Sequence, residues 1–153
     1  MRMQSARLRW FFVVACISVI TSITGGCGDG RPERAPISGQ VLIDGKPLTC
    51  GTICIIPENA RMAAGDIGPD GRFTMRCFDE NDGAVLGTHP VTVTAFEQID
   101  NATRKWFAPK KYSDAKTSGK TVTVDGANDS LVINLTWEGG KPFVERFANG
   151  HWQ

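Results

Sequence analysis

The chain has 153 residues, of which 41% are hydrophobic and 22% are charged, and its formal net charge is +1. This length fits one ordinary domain, and the balanced charge excludes the large basic field on which nucleic-acid binding depends. Seventeen glycines and eight prolines favour many turns over long helices, so we expect an all-β fold.

The N-terminal 26 residues have the organisation of an export signal. Three arginines precede an apolar run at Trp10–Ile23, and no acidic residue occurs before Asp29. The run is about 14 residues long, which is shorter than the ~20 that a membrane-spanning helix needs. We therefore predict a cleaved signal peptide at residues 1–26 and a mature protein exported from the cytoplasm.

The end of this signal indicates a lipid anchor. Its last residues are small and precede Cys27, which resembles the bacterial lipobox, where the cysteine thiol is acylated and becomes the new N-terminus. Ordinary signal cleavage near Gly26 is the alternative, because Thr24 stands where an aliphatic residue is usual. A competing box at Val13–Cys16 would leave an apolar core of about six residues, below the 7–15 that signals use. Cys27 is thus the predicted lipidation site, on the periplasmic or outer surface of the envelope.

The rest of the chain is expected to hold a tether, a β-domain and a C-terminal extension. Residues 27–36 consist mainly of turn formers and charges, which predicts a flexible tether. Residues 37–136 alternate with period two between turn dipeptides, which predicts a sandwich of about seven strands. Residues 137–153 form the extension, with a short helix expected at Pro142–Ala148. The strands are expected at Ile37–Ile43, Thr52–Ile56, Ala64–Ile67, Arg72–Cys77, Val85–Ala95, Thr121–Val124 and Leu131–Leu135.

Turn chemistry and alternation add detail to this prediction. The dipeptide Asp44-Gly45 favours a tight hairpin turn with positive backbone angles. The run Pro69-Asp70-Gly71 is expected to join the third and fourth strands in a second hairpin. Val91 and Val93 are expected to face the core, and the threonines that alternate with them are expected to face water.

The segment Glu97–Lys120 shows no periodicity and predicts a long loop, a class of loop that is usually functional or disordered. In one interpretation, the segment binds a ligand: its aromatic side chains stack on sugars or its basic side chains hold an anionic polymer. The favoured interpretation is that the aromatic side chains hold the loop against the sandwich, since burial is the commoner use of aromatic residues. The candidate binding surface consists of Trp106, Tyr112, Lys105, Lys110 and Lys111.

Several segments follow one another in the order and spacing of a known group of proteins. They are Ile37–Val41, Asp44–Leu48, Pro69–Phe73, Gly87–Thr94 and Ala108–Tyr112. In these segments the chain resembles small planctomycete lipoproteins with a carboxypeptidase-regulatory-like, transthyretin-like domain. The resemblance implies a Greek-key β-sandwich of the transthyretin-like or immunoglobulin-like kind, displayed outside the cytoplasm, and it supplies no catalytic residue.

Few side chains are suited to catalysis or metal binding. His89 lies at a strand entrance and His151 in the tail, whereas hydrolytic chemistry needs a base or ligands converging in one pocket. The acidic run Asp79–Gly83 lacks the spacing of a calcium loop and is interpreted as a solvated turn. We expect no catalytic residue, metal or cofactor. The preferred function is a structural or protein-interaction role in the envelope, and carbohydrate or polyanion binding through residues 104–112 is the alternative.

Three cysteines besides Cys27 remain after the signal is removed, in a compartment that permits disulfides. Strand parity places Cys54 on the outer face and Cys77 on the inner face, whereas Cys50 precedes the regular strand and has a freer direction. This predicts a Cys50–Cys77 bridge and a free Cys54. Three reduced thiols that serve as small apolar side chains are the alternative.

Overall fold

A computed structural model describes residues 30–147, and the compact β-domain begins at Pro32. The predicted signal peptide, the predicted lipidation site Cys27 and His151 lie outside the described residues. Within residues 30–147 the fold is all-β, and no helix there combines the length and apolar character needed to span a bilayer. A short 3-10 helix covers Lys110–Ser113. The strands are β1 (Arg34–Ala35), β2 (Ile37–Ile43), β3 (Lys46–Pro47), β4 (Thr52–Ile55), β5 (Ala63–Asp66), β6 (Arg72–Thr74), β7 (Ala84–Val85), β8 (Gly87–Thr94), β9 (Phe96–Asp100), β10 (Thr103–Trp106), β11 (Lys120–Val124), β12 (Asn128–Leu135) and β13 (Phe143–Arg146).

Two four-stranded sheets form the body of the domain. One has the antiparallel order β11-β8-β4-β5. The other has the order β12-β2-β3, with β6 also paired to β2, and its β2–β12 pair is parallel. Both sheets contribute to one buried cluster in which the largest inward side chains are almost fully excluded from water, an arrangement consistent with a β-sandwich. They include Val41, Ile53, Ile55, Met75, Val91, Val93 and Val124.

Alternation locates the strands of these two sheets well. Each strand segment expected from the sequence overlaps an observed strand. Val91 and Val93 are buried as predicted, but Thr92 is buried as well, which corrects the expectation that it faces water. Thr92 lies opposite Cys54 of β4, and a hydrogen bond joins the two side chains on that face of the sheet.

The two predicted turns have different outcomes. Asp44 and Gly45 both have positive φ angles, 47° and 76°, and Ile43 pairs with Lys46 across them, as a tight hairpin requires. The turn at Pro69–Gly71 is present, and the predicted hairpin across it is reduced to one antiparallel bridge between Ala64 and Arg76. It carries the chain from one sheet to the other, because β5 pairs with β4 whereas β6 pairs with β2. This crossing puts the buried Phe73 between the two sheets.

The composition of residues 27–36 predicts a flexible tether, and its described part departs from this. Arg34–Ala35 forms β1, which pairs with β7, and Ala35 is buried. The Arg34 guanidinium donates a hydrogen bond of 2.8 Å to the Asp82 carboxylate. Two long-range contacts therefore order a segment that carries too little apolar surface to order itself.

The aperiodic segment Glu97–Lys120 also contains regular structure. It includes most of β9, all of β10 and the 3-10 helix. A bulge between Thr103 and Arg104 shifts the register of the β9–β10 pair, and such a shift interrupts the alternation on which strand prediction depends.

The predicted helix at Pro142–Ala148 is wrong, because Phe143–Arg146 forms β13 and pairs with β10. The resulting three-stranded sheet has the order β13-β10-β9. A helix of so few residues is marginal on its own. Pairing with β10 instead places Phe143 beside Trp106, so packing decides the conformation.

Candidate functional site

The candidate binding surface centres on Trp106, at the end of β10. The strand register places Phe96 on one side of Trp106 and Phe143 on the other. The Phe96 ring lies 5.2 Å from the indole between centroids, and the Phe143 ring lies 6.3 Å away and nearly parallel to it. Trp137 meets the edge of Phe143. With 5% of its surface exposed, Trp106 is the centre of an aromatic cluster.

Glu145 fixes the polar edge of Trp106. One carboxylate oxygen accepts the indole N–H at 2.8 Å, and the other accepts the Lys110 ammonium at 2.7 Å. The hydrogen bond from Lys110, reinforced by that from Trp106, lowers the pKa of the Glu145 carboxyl against the effect of desolvation. The carboxylate therefore stays ionised and holds β13 to the helix that follows β10.

Tyr112 has a comparable structural role in the 3-10 helix. Its ring is 2% exposed. The hydroxyl donates to the Thr136 carbonyl at 3.3 Å and accepts from the Thr136 N–H at 3.2 Å, so it joins the helix to the end of β12. The neighbouring Lys111 forms an ion pair with Glu138.

These contacts bear on the candidate binding surface, which stays a prediction. Trp106 and Tyr112 are buried and offer no open ring face to a sugar. Lys110 and Lys111 are paired with glutamates, and the Lys105 ammonium lies 5.0 Å from the centroid of the Phe107 ring. The contacts of Trp106, Lys110, Tyr112 and Lys111 join β10 and the 3-10 helix to β13 and to the residues that follow β12.

His89 serves the corner between β7 and β8. Its Nε2 lies 3.0 Å from the Val85 carbonyl and 3.1 Å from the Leu86 carbonyl. Because both partners are acceptors, we assign the ring proton to Nε2. The imidazole thereby holds two backbone carbonyl groups at the corner. Neither of these partners is an acidic or nucleophilic side chain with which His89 would form a catalytic pair.

Asp82 closes the loop formed by the acidic run Asp79–Gly83 through hydrogen bonds from its carboxylate to the backbone. Its carboxylate accepts the backbone N–H groups of Cys77, Phe78 and Asp79 at 2.7, 3.0 and 3.1 Å, in addition to the Arg34 guanidinium. Desolvation would raise the pKa of the Asp82 carboxyl, but these backbone hydrogen bonds and the one from Arg34 lower it. The solvated-turn interpretation is therefore wrong for Asp82, although short side-chain-to-backbone bonds of this kind are typical of Asp near turns.

The described part of the chain also contains surface grooves, one of them about 640 Å³ and lined in part by Pro57, His89 and Pro90. Within residues 30–147 no group of three or more His, Cys, Asp or Glu side chains is placed to hold a metal ion. A surface groove of about 460 Å³ is lined in part by Arg61, Arg76 and Cys77. There Arg76 pairs with Asp66 at 3.1 Å, and the Cys77 thiol donates to the Arg61 carbonyl at 3.4 Å.

The structure leaves Cys50, Cys54 and Cys77 as free thiols, so the predicted Cys50–Cys77 bridge is absent. Cys50 precedes β4 close to Glu97, whereas Cys77 lies beside Asp82 near β1, at the other end of the sheets. Thiols so placed cannot approach to bonding distance. Burial raises the pKa of all three thiols, which keeps them protonated and weakly nucleophilic.

Mature protein that is denatured without reduction is expected to react with three equivalents of a thiol reagent, one for each of these cysteines. A thioether-linked Cys27 would not react. The same titration after reduction provides the control and is expected to give the same number. A gain of two reactive thiols on reduction would reveal a disulfide and contradict the assignment of three free thiols.

No protein-family model, curated protein or solved structure matches this chain. The resemblance to small planctomycete lipoproteins therefore stays a prediction from its motifs.

Proposed function

We propose that this protein is a lipid-anchored, non-catalytic β-sandwich module of the bacterial envelope with a structural or protein-interaction role. One observation carries the proposal: among residues 30–147, six side chains that the sequence singles out are engaged in contacts within the fold. They are His89, Asp82, Trp106, Tyr112, Lys110 and Lys111. The proposal includes a Greek-key connection of the two four-stranded sheets, as in transthyretin-like domains.

The three-stranded sheet is the surface best suited to a protein partner. Among residues 30–147, β9 and β13 each pair with β10 alone, so the outer edge of each strand has free backbone groups. Ile99 on β9 and Val144 on β13 are more than half exposed. An extended segment of another protein binds such an edge by adding a strand, with apolar side chains contributing to affinity.

The anchor is tested by fractionation. Cys27→Ala is expected to move the protein from the membrane fraction to the soluble fraction and to abolish labelling by a palmitate analogue, because durable attachment requires more than one acyl chain. Cys16→Ala is the matched control, since it removes the competing box and leaves Cys27 in place.

We expect Cys27→Ala to release the protein from the membrane and Cys16→Ala to leave it there. If Cys16→Ala releases the protein and Cys27→Ala does not, the anchor lies at the earlier cysteine. If both variants remain at the membrane without label, the lipoprotein assignment is wrong.

A further inference from the structure

Strand β13 leaves a defined set of backbone groups free. The Phe147 N–H donates to the Ala102 carbonyl at 2.7 Å, and in an antiparallel pair such bonded positions alternate with positions whose backbone groups point outward. Counting back from Phe147 along the register with β10, the N–H and C=O groups of Val144 and Arg146 point away from β10. Within residues 30–147 β13 has no other strand partner. An added antiparallel strand is therefore able to exchange backbone hydrogen bonds with both residues.

One face of the three-stranded sheet carries a row of aromatic rings that ends at this edge. Phe96, Trp106 and Phe143 lie opposite one another in register, one on each strand. Phe143 is stacked on Trp106, and 39% of the residue remains exposed although Trp137 meets the edge of its ring. Aromatic pairs on neighbouring strands stabilise a sheet. The position opposite Phe143 on an added strand therefore favours an aromatic side chain.

The charge along the free edge of β13 is positive. Arg146 on the strand and Lys141 just before it are exposed and form no ion pair within the described part of the chain. The carboxylate on this strand, Glu145, is neutralised by the Lys110 ammonium at 2.7 Å. Asp100 lies on β9, two strands away. An acidic side chain opposite Arg146 therefore complements a charge that the fold leaves uncompensated.

We propose that the free edge of β13 binds an extended acidic and aromatic segment of another protein as an added antiparallel strand. This inference rests on the protein-interaction role proposed above. The antiparallel register places an acidic residue opposite Arg146 first, followed by a small residue opposite Glu145. A β-branched residue opposite the exposed Val144 and an aromatic residue opposite Phe143 come next. Backbone hydrogen bonds supply the affinity of such a complex, and the alternating side chains supply its specificity.

The test measures binding of the peptide Ser-Asp-Ser-Val-Phe-Thr, labelled with fluorescein and amidated at its C-terminus, to the purified full-length protein by fluorescence anisotropy. Arg146→Glu is expected to weaken binding by about tenfold or more, because like charges then face each other. A peptide with Lys in place of Asp is expected to bind this variant more tightly than it binds the unmodified protein. Arg72→Glu makes the same charge change on the exposed strand position of β6 and is expected to leave binding unchanged.

Val144→Pro tests the backbone contribution. The Val144 N–H points away from β10, so proline removes a donor to the added strand and leaves the pairing of β13 with β10 in place. Peptide binding is expected to fall by about tenfold or more, while the urea concentration at the midpoint of unfolding changes little. The charge exchange at Arg146 tests the same site independently of any change that proline causes in the strand.

Absence of binding, or equal affinity of the Asp and Lys peptides for the unmodified protein, would overturn the proposed peptide site. Self-association in analytical ultracentrifugation that Val144→Pro abolishes would assign the edge to a second copy of this chain and would overturn the site as well. Each of these results leaves the lipid anchor untouched, because fractionation of Cys27→Ala decides the anchor separately.

Discussion

Trp106→Ala is expected to lower the free energy of unfolding by about 3–5 kcal/mol, the usual cost of removing a large buried aromatic side chain. The indole fills the space between Phe96 and Phe143, and its N–H is bound by Glu145. Its removal leaves a cavity and deprives that carboxylate of one hydrogen bond. Urea denaturation followed by far-ultraviolet circular dichroism measures the change.

Trp106→Phe is the informative control for this experiment. It keeps an aromatic ring between β9 and β13 but loses the hydrogen bond to Glu145, and we expect it to cost about 1–2 kcal/mol, less than the alanine variant. If Trp106→Ala unfolds at the same urea concentration as the unmodified protein, the indole does not stabilise the fold. That result would favour the interpretation of Trp106 as part of a ligand-binding surface.

Gly39→Ala is expected to destabilise the domain by about 3 kcal/mol, at the upper end of the usual cost of overpacking. Gly39 lies in β2 opposite Leu131 of β12. A methyl group there would lie 1.9 Å from the Leu131 carbonyl oxygen and 2.7 Å from its carbonyl carbon. Both are backbone atoms, so they cannot move away without separating the two strands. The same denaturation experiment measures this loss.

Gly126→Ala is the matched control, because a methyl group at Gly126 would meet no atom within 4 Å. We expect this variant to differ from the unmodified protein by less than about 0.5 kcal/mol, as substitutions at open surface positions usually do. Equal stabilities of the Gly39 and Gly126 variants would contradict the close approach of β2 and β12.

Alternation and turn chemistry predict much of the body of this fold because they act over a few neighbouring residues. The inward direction of Val91 and Val93 follows from period two, and the turn at Asp44-Gly45 follows from the backbone angles that these two residues tolerate. Both the alternation and the turn residues can be recognised within one short segment, without knowledge of the rest of the fold. At the Pro69–Gly71 turn the same reasoning predicts the turn and the antiparallel bridge between Ala64 and Arg76 across it, but not the pairing of β6 with β2.

The contacts that organise the candidate site leave no local pattern. Glu145 reaches Trp106 across 39 positions and Arg34 reaches Asp82 across 48. Neither pair has a period or a spacing that identifies it in the sequence. The burial of Trp106 and the strand at Phe143–Arg146 both depend on such contacts. The aromatic residues were therefore recognisable as important, whereas their partners were not.

The parallel pairing of β2 with β12 has a consequence for the order in which the fold completes. The paired residues are about 90 positions apart, so a chain synthesised from its N-terminus contains β2 long before its neighbour. Closing so large a loop carries an entropic cost before any contact compensates it, and topologies rich in such contacts fold slowly. During this interval one edge of β2 lacks its final partner and is open to misassembly with another chain. Folding of this protein is therefore suited to a chaperone that holds β2 until the C-terminal strands have been made.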